Sequence, residues 1–249
     1  MPRYDFRTPR LYVDAALRPG TRIALAAGQI HYLRNVLRLK AADPVLVFNG
    51  REGEWRAILE DTGKRAVSLS VGEATRAQTP ALDLHYLFAP LKHARLDYMV
   101  QKAVELGASR LQPVYTRHGQ VARVNLDRMK ANAIEAAEQC GILTLPAIAA
   151  PISLEQMIAA LEPARLLIFC DEDAEVVDPV AALTAQRRSD MRPLAVLVGP
   201  EGGFAEDERV ALIGLPNTVR ISLGPRILRA DTAAVAGLAL VAAVLGDWR

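Results

Sequence analysis

Cysteine is scarce in this chain, which has only Cys140 and Cys170 among its 249 residues. Two cysteines exclude a disulfide framework, and their positions do not have the spacing of a metal site. No apolar run approaches the ~20 residues that a membrane-spanning helix needs. The first ten residues contain arginines but no apolar segment, so they do not have the pattern of a secretion signal. We therefore expect a cytoplasmic protein that binds neither a membrane nor a metal.

Acidic residues are also scarce at the start of the chain. Residues 1–80 contain 13 Lys and Arg against 8 Asp and Glu, whereas the remainder contains 17 against 20. The apolar fraction of 51% is sufficient for a sizeable core. A basic amino-terminal part on a mildly acidic body indicates a polyanionic partner such as a nucleic acid. A solvated basic face is an equal alternative from charge alone.

The first 75 residues have the pattern of a small β-barrel. Apolar runs at Pro44–Phe48 and Trp55–Leu59 flank Asn49-Gly50, a dipeptide typical of hairpins, and Val67–Val71 is a third strand candidate. Residues 27–39 have apolar side chains at helical spacing and basic side chains on the other faces. The sequence therefore predicts a barrel that carries one basic helix.

From residue 80 onward, strands alternate with helices. Gly72–Pro80 is polar and ends in proline, so we interpret it as a linker. The later pattern of strand and helix predicts an α/β domain with a mostly parallel sheet. The expected division is therefore a β-barrel domain over residues 1–72 and an α/β domain over residues 73–249.

Two loops within Leu194–Thr232 each follow an aliphatic strand and precede a helix. In a parallel sheet both lie at the carboxyl ends of strands, where such folds bind ligands. Gly199–Gly203 lacks the lysine of a phosphate-binding loop and the glycine spacing of a dinucleotide fold. It therefore suits an adenosine better than a triphosphate, although an ordinary turn explains it equally well. Leu223–Arg229 places two apolar residues between arginines, which suggests cover for a flat ligand or packing on a neighbouring loop.

The remaining polar candidates have less specific patterns. His85, inside an apolar strand, is predicted to be a core residue, and His93 and His118 are weak site candidates at strand ends. Both cysteines are most simply buried small residues. The acidic run from Asp171 to Asp173 follows a strand and could accept hydrogen bonds from ribose hydroxyls, but solvated loop charge is the preferred interpretation.

GPEGGF, followed by LGPRILRADTA, closely resembles the cofactor motifs of SPOUT-class RNA methyltransferases. The blocks HYLRNVLRLK, RLDYMVQKAVELGA and NLDRMKANAIEAAEQCG also resemble the RsmE family within that class. The resemblance spans nearly the whole chain. It implies a trefoil-knotted α/β domain, a PUA-like amino-terminal barrel and a homodimer. It also implies S-adenosylmethionine as cofactor and N3 of a uridine in 16S, small-subunit ribosomal RNA as the methylated atom.

The resemblance also suggests roles for individual residues. Arg229 is the leading candidate beside the reacting base, with Arg226 and Asp231 as further catalytic candidates; Asp231 stands where the family usually has Glu, and Ile142 where it usually has Arg. The cofactor is expected on Leu197, Gly199, Pro200, Glu201, Gly202, Leu223, Gly224, Ile227 and Leu228. RNA is expected on Arg3, Arg7, Arg10, His31, Arg34 and Arg38.

Three other functions remain open at this point. One is a non-catalytic ribosomal RNA-binding or ribosome-assembly factor that retains the fold. Another is a methyltransferase of the same class that acts on a different RNA. The third is another nucleotide-using enzyme such as a dehydrogenase, which the missing G-x-G-x-x-G spacing disfavours.

Overall fold

The computed structural model describes residues 5, 7–61, 67–175 and 178–248, so the predicted RNA contact Arg3 lies outside the described residues. Contacts divide the chain into two units. Met1–Pro80 and Ala137–Leu145 form the amino-terminal unit, and Ala81–Ala136 and Pro146–Arg249 form the larger unit. Within the described ranges, no helix is long and apolar enough to cross a membrane.

A curled five-stranded sheet forms the amino-terminal unit. Its elements are β1 (Arg10–Tyr12), β2 (Arg22–Ala24), α1 (Ala27–His31), β3 (Pro44–Phe48), β4 (Glu54–Asp61) and β5 (Val67–Arg76). Among the described strands the order is β1-β3-β4-β5-β2, in which β1 and β3 pair in parallel and the other pairs are antiparallel. Ala57 and Leu59 alternate with exposed neighbours and are fully buried, as expected of strands with one face on a core. The predicted barrel is confirmed as a half-barrel, and the predicted hairpin joins β3 to β4.

The predicted helix over residues 27–39 is interrupted. After α1 the chain widens into a π-helical turn, Tyr32–Val36, in which Leu37 N–H donates to the Tyr32 carbonyl at 2.9 Å. Arg38 then takes a positive φ of 58°, which ends the helix. Leu33 is fully buried in the sheet core and anchors the turn. Single π turns are frequent at functional sites, and this one adjoins the basic side chains expected to contact RNA.

A buried carboxylate links the strands β1, β4 and β5 of the amino-terminal unit. Glu54, 4% exposed, accepts from Arg10 Nε at 2.9 Å and from the Arg76 guanidinium at 2.7 Å. Arg76 belongs to β5 and pairs across from Glu54. The predicted linker Gly72–Pro80 is therefore wrong over its first half, because Gly72–Arg76 continues β5 and is held by this ion pair.

All described strand pairs of the larger unit are parallel, which confirms the predicted α/β sheet. The strand order is β12-β10-β11-β6-β7-β8, with β9 also paired to β7. The strands are β6 (Leu84–Phe88), β7 (Arg110–Tyr115), β8 (Ala147–Ile148), β9 (Ile152–Ser153), β10 (Leu166–Cys170), β11 (Leu194–Val198) and β12 (Thr218–Ile221). The knot implied by the resemblance stays a prediction.

Six helices accompany this sheet in the described residues: α2 (His93–Glu105), α3 (Leu126–Cys140), α4 (Leu154–Ala160), α5 (Pro179–Thr184), α6 (Glu206–Ile213) and α7 (Ala230–Val244). Their ends follow local chemistry. Ser153 and Gln156 form the predicted capping box of α4. Gly107 and Gly141 follow α2 and α3 with positive φ, as predicted for helix stops. The five residues of β10 and of β11 are all buried, so these two strands form the centre of the core.

Candidate functional site

The two predicted loops meet at the carboxyl edge of the sheet. Because β10 lies between β11 and β12, the segments that follow all three strands adjoin one another. They enclose a cavity of about 300 Å³, hereafter the first cavity. Its lining residues are 170–172, 198–202, 222–224, 226–228, 230 and 233. Carboxyl ends of parallel strands are where open α/β sheets bind ligands.

The first cavity contains all the predicted cofactor residues except one. Leu197 is fully buried inside β11, where it packs in an apolar cluster beneath the site and does not line the cavity. The sequence did not single out Ser222, Ala230 and Ala233, which also line the cavity. Cys170 to Glu172 complete the wall. The only sequence signal for them was the acidic run that follows β10.

The loop after β11 approaches its neighbours so closely that side chains would not fit. A Cβ on Gly199 would lie 2.4 Å from Phe204 Cε2. Gly203 has a φ of 68°, and a Cβ there would lie 2.5 Å from Glu172 Oε1. Gly203 N–H closes the turn by donating to the Pro200 carbonyl at 3.0 Å. Glycine at 199 and 203 therefore lets the loop pack closely on Phe204 and Glu172, and the backbone of Gly199 lines the first cavity.

Asp171 fixes the end of β10. It is 3% exposed and accepts from Arg209 Nε at 3.1 Å and from Arg220 Nε at 2.8 Å. These arginines belong to α6 and β12, so one carboxylate holds three elements together. The preferred interpretation of the acidic run as solvated charge is therefore wrong for Asp171, because burial is compensated by two guanidinium groups. Glu172 is exposed and faces the first cavity.

The loop after β12 is more open. Ile227 is 98% exposed, although it is apolar and lines the first cavity. Among the catalytic candidates, Arg226 lines the cavity, whereas Arg229 and Asp231 do not. Arg229 is exposed at the N-cap of α7, and Asp231 accepts from the backbone N–H of Thr232 at 2.9 Å.

A second cavity of about 370 Å³ lies on the other side of the β11 loop, at the ends of β6 and β7. It is lined by Pro90, Leu91, Lys92, Arg95, Gln120, Val121, Pro200 and Glu201. Pro200 and Glu201 therefore form a wall shared with the first cavity. Across this wall the Arg95 guanidinium forms an ion pair with the Glu201 carboxylate.

The predicted RNA contacts differ in accessibility. Arg7, His31 and Arg38 are exposed, and Arg34 forms an ion pair with Asp61. The Arg10 side chain is 8% exposed. Besides Glu54, its guanidinium donates to carbonyl oxygens of Ala137, Glu138 and Ile142. Arg10 thus anchors the amino-terminal unit internally and does not present a free guanidinium.

Two further predictions concern single residues. Burial of Cys170 is confirmed, and it raises the pKa of the Cys170 thiol to about 12. Burial of Cys140 is wrong: this residue is exposed in the last turn of α3. His85 is only partly buried, with its side chain 22% exposed. Within the part of the chain that the structure describes, no three His, Cys, Asp or Glu side chains are grouped to hold a metal.

Comparison with known proteins identifies the family. The profile of the RNA methyltransferase domain family matches residues 78–242, and that of the RNA methyltransferase PUA domain matches residues 25–72. Ribosomal RNA small subunit methyltransferase E of Rickettsia conorii is 33% identical over 93% of this chain and 94% of the relative. The chain belongs to the ribosomal RNA small subunit methyltransferase E family. This confirms the family that the sequence motifs resembled.

Solved structures show the same fold over nearly the whole chain. The family member from Neisseria gonorrhoeae, bound to S-adenosylmethionine, superposes with a TM-score of 0.85 at 25% identity, covering 98% of this chain and 100% of that one. A Legionella pneumophila protein described as a methyltransferase, in complex with the same cofactor, gives a TM-score of 0.82 at 27% identity, covering 95% and 98%. These matches confirm the predicted α/β fold with its amino-terminal PUA domain.

Proposed function

We propose that this chain transfers a methyl group from S-adenosylmethionine to N3 of a uridine in 16S ribosomal RNA. The observation that carries the proposal is the first cavity, because it assembles both loops whose motifs resemble those of the family. Two relatives with this fold hold S-adenosylmethionine, and several curated relatives bear the name ribosomal RNA small subunit methyltransferase E.

The first cavity fits the proposed cofactor in size and chemistry. Its volume of about 300 Å³ lies at the lower end of the range for small-molecule sites. Ile227 and Leu228 offer apolar surface for an adenine, and Glu172 is placed to accept hydrogen bonds from ribose hydroxyls. Glu172 and Glu201 line the cavity together with Arg226, whereas the charge of Asp171 is balanced by Arg209 and Arg220, so the lining accommodates the positive charge of a sulfonium. When bound, S-adenosylmethionine supplies an electrophilic methyl group on a sulfonium.

The chain's own residues must position the base and handle its proton. N3 of uracil carries an imide proton, so a bond from N3 to the methyl carbon forms as the sulfur–carbon bond breaks and the proton leaves. Arg226 lines the cavity and Arg229 begins α7 beside it in the chain. Either guanidinium can stabilise the negative charge that develops on the imide. Glu201 and Asp231 are the carboxylates of these loops that can accept the proton.

We assign RNA binding to residues 1–72 and methyl transfer to residues 73–249. Arg7, His31 and Arg38 are exposed in the amino-terminal unit and are suited to phosphate contacts, and Arg34 adds a fourth contact when it leaves Asp61. We further propose that the protein acts in the cytoplasm and forms a homodimer, in which a second copy of the chain covers Ile227. The loops of the larger unit are proposed to form the trefoil knot.

Two measurements test this function. Calorimetry with S-adenosylmethionine should show binding to the full chain, and absence of binding would refute the enzymatic role in favour of a non-catalytic RNA-binding factor. Mass-spectrometric mapping of ribosomal RNA from a strain lacking the gene should show loss of one methyl group from a small-subunit uridine. Loss of a methyl group from another RNA would change the proposed substrate but not the proposed reaction.

A further inference from the structure

The second cavity adjoins the proposed cofactor site and shares Pro200 and Glu201 with it. Strand β11 lies between β10 and β6 in the sheet, so its loop separates the first cavity from the second. The second cavity is the larger of the two, at about 370 Å³ against about 300 Å³. Pro200 and Glu201 line both cavities. A group bound in the second cavity would therefore adjoin the methyl donor.

The second cavity is the more cationic of the two. It has Lys92 and Arg95 against the carboxylate Glu201, whereas the first cavity has Arg226 with Glu172, Glu201 and Asp171, the last already held by two arginines. Pro90, Leu91 and Val121 add apolar wall surface to the second cavity. A cavity with cationic side chains and apolar walls suits a nucleotide, because the phosphate is anionic and the base has apolar faces.

We propose that the second cavity receives the target base and that Arg95 is the residue that selects uracil. The proposal rests on the function proposed above and adds a substrate-binding site to it. Uracil presents carbonyl oxygens on both sides of N3, and both become more negative when the imide proton leaves. A guanidinium donates to such oxygens and remains charged throughout. Cytosine has an amino group in place of O4, so a guanidinium that faces O4 of uracil meets a donor there in cytosine.

The ion pair between Arg95 and Glu201 explains how the guanidinium is held before RNA arrives. The Arg95 and Glu201 side chains are 40% and 41% exposed, so water screens the pair and little free energy opposes its exchange. Pairing keeps the guanidinium against the shared wall rather than extended into solvent. An entering uracil replaces the Glu201 carboxylate as partner of Arg95, and the released carboxylate then lies beside the imide. Arg95 is thus a substrate-binding residue on the wall between the two ligands.

The test compares two nucleotides that differ only at the base edge. Full-length protein with ¹⁵N-labelled arginine, saturated with S-adenosylhomocysteine, is titrated with uridine 5′-monophosphate and with cytidine 5′-monophosphate. The Nε–H signal of Arg95, assigned by its loss in Arg95→Lys, should shift with the uridine nucleotide. We expect binding of the cytidine nucleotide to be weaker by about fivefold or more, the range for a good base-edge contact. In Arg95→Lys, where binding is followed through the signals of the other arginines, the preference for the uridine nucleotide should largely disappear.

Arg128→Ala is the matched control. Arg128 is also an exposed arginine of the larger unit in an ion pair, with Asp97, but it does not line the second cavity. The preference for the uridine nucleotide should be unchanged in this variant. Equal binding of the two nucleotides to the unaltered protein would overturn the proposal. Displacement of S-adenosylhomocysteine by the uridine nucleotide would also overturn it, because the two cavities would then be one site.

Turnover measurements distinguish a failure of this proposal from a failure of the proposed function. With small ribosomal subunits from a strain lacking the gene, Arg95→Lys should lower kcat about tenfold or more, the cost of a lost hydrogen bond to a charged group, and leave KM near its original value. If the unaltered protein methylated no ribosomal RNA, the proposed function would fail. The nucleotide titration would still decide the role of Arg95, because it requires no turnover.

Discussion

Replacing Gly199 with alanine should damage the cofactor site through one contact. The added methyl group would lie 2.4 Å from Phe204 Cε2 and 2.9 Å from its Cδ2. An ordinary van der Waals contact begins near 3.4 Å, so the ring or the loop must move by about 1 Å. The ring cannot retreat freely, because it packs edge-to-face on Phe169 with centroids 5.1 Å apart. Phe169 is itself fully buried.

The magnitude follows from which partner moves. Forcing an extra methyl group into a packed site costs about 1–3 kcal/mol. Gly199 lines the first cavity, whereas Phe204 is partly buried and packs against the core cluster beneath it. We expect the loop to move, since it is the less confined side. The loss then appears mostly in cofactor affinity, which should fall about 5- to 150-fold at 1.4 kcal/mol for each factor of ten.

Isothermal calorimetry with S-adenosylmethionine measures this loss, and thermal unfolding measures any cost to the core. Gly214→Ala is the matched control, because its Cβ would lie an ordinary 3.4 Å from the Val210 carbonyl and its φ is −68°. The double variant Gly199→Ala, Phe204→Leu lacks the clashing ring atoms. Its affinity for S-adenosylmethionine should therefore approach that of Phe204→Leu alone. Unchanged affinity in Gly199→Ala would refute the argument that the bare backbone at this position is required.

Two further predictions concern other parts of the larger unit. Glu172→Gln should weaken S-adenosylmethionine binding about tenfold by calorimetry, the cost of lost hydrogen bonds to a charged group, while Asp173→Asn, outside the cavity lining, should not. Burial, with Arg165 and Arg110 nearby, lowers the pKa of His85 to about 4. The pKa of this histidine in the unfolded chain is 6.5. The stabilising contribution of neutral His85 is therefore fully present above pH 6.5, and the free energy of unfolding falls by at most about 3 kcal/mol as the pH drops towards 4. Urea unfolding of His85→Gln should lack this component, and identical pH profiles would contradict it.

Local chemistry predicted the secondary structure well. Pro44–Phe48 and Leu194–Val198 are strands with the predicted bounds, because apolar runs of this length, flanked by turn residues, have few other stable forms. The capping box at Ser153 and the hairpin at Asn49-Gly50 are also determined within a few residues. Gly72–Arg76 is an exception: its polar composition indicates a loop, but pairing with β4 and the charge of Glu54 make it a strand.

The candidate site was predictable only where it is continuous in sequence. The two loops after β11 and β12 could be found by motif, and both line the first cavity. Their third neighbour, the segment after β10, depends on the strand order β12-β10-β11, which sequence periodicity does not encode. The second cavity was missed for the same reason, because Arg95 lies in the first turn of α2, whereas Gln120 and Glu201 lie in the loops after β7 and β11. Likewise, the partners of Arg10 are more than 40 residues away, so its burial was not visible.

The β11 loop has two faces with different requirements, and its sequence accommodates both. The backbone of Gly199 and Gly202 lines the first cavity, and the absence of a side chain at these positions leaves room for Phe204 and His118. On the other face, the Gly202 carbonyl is 3.1 Å from His118 Nδ1, and Glu201 holds Arg95. His118 lies in the loop after β7 and Arg95 in the first turn of α2, so both contacts tie the β11 loop to the segments that follow β6 and β7. A substitution at Glu201 should therefore alter base binding and cofactor binding together, whereas substitutions at Arg95 or Glu172 should each affect one.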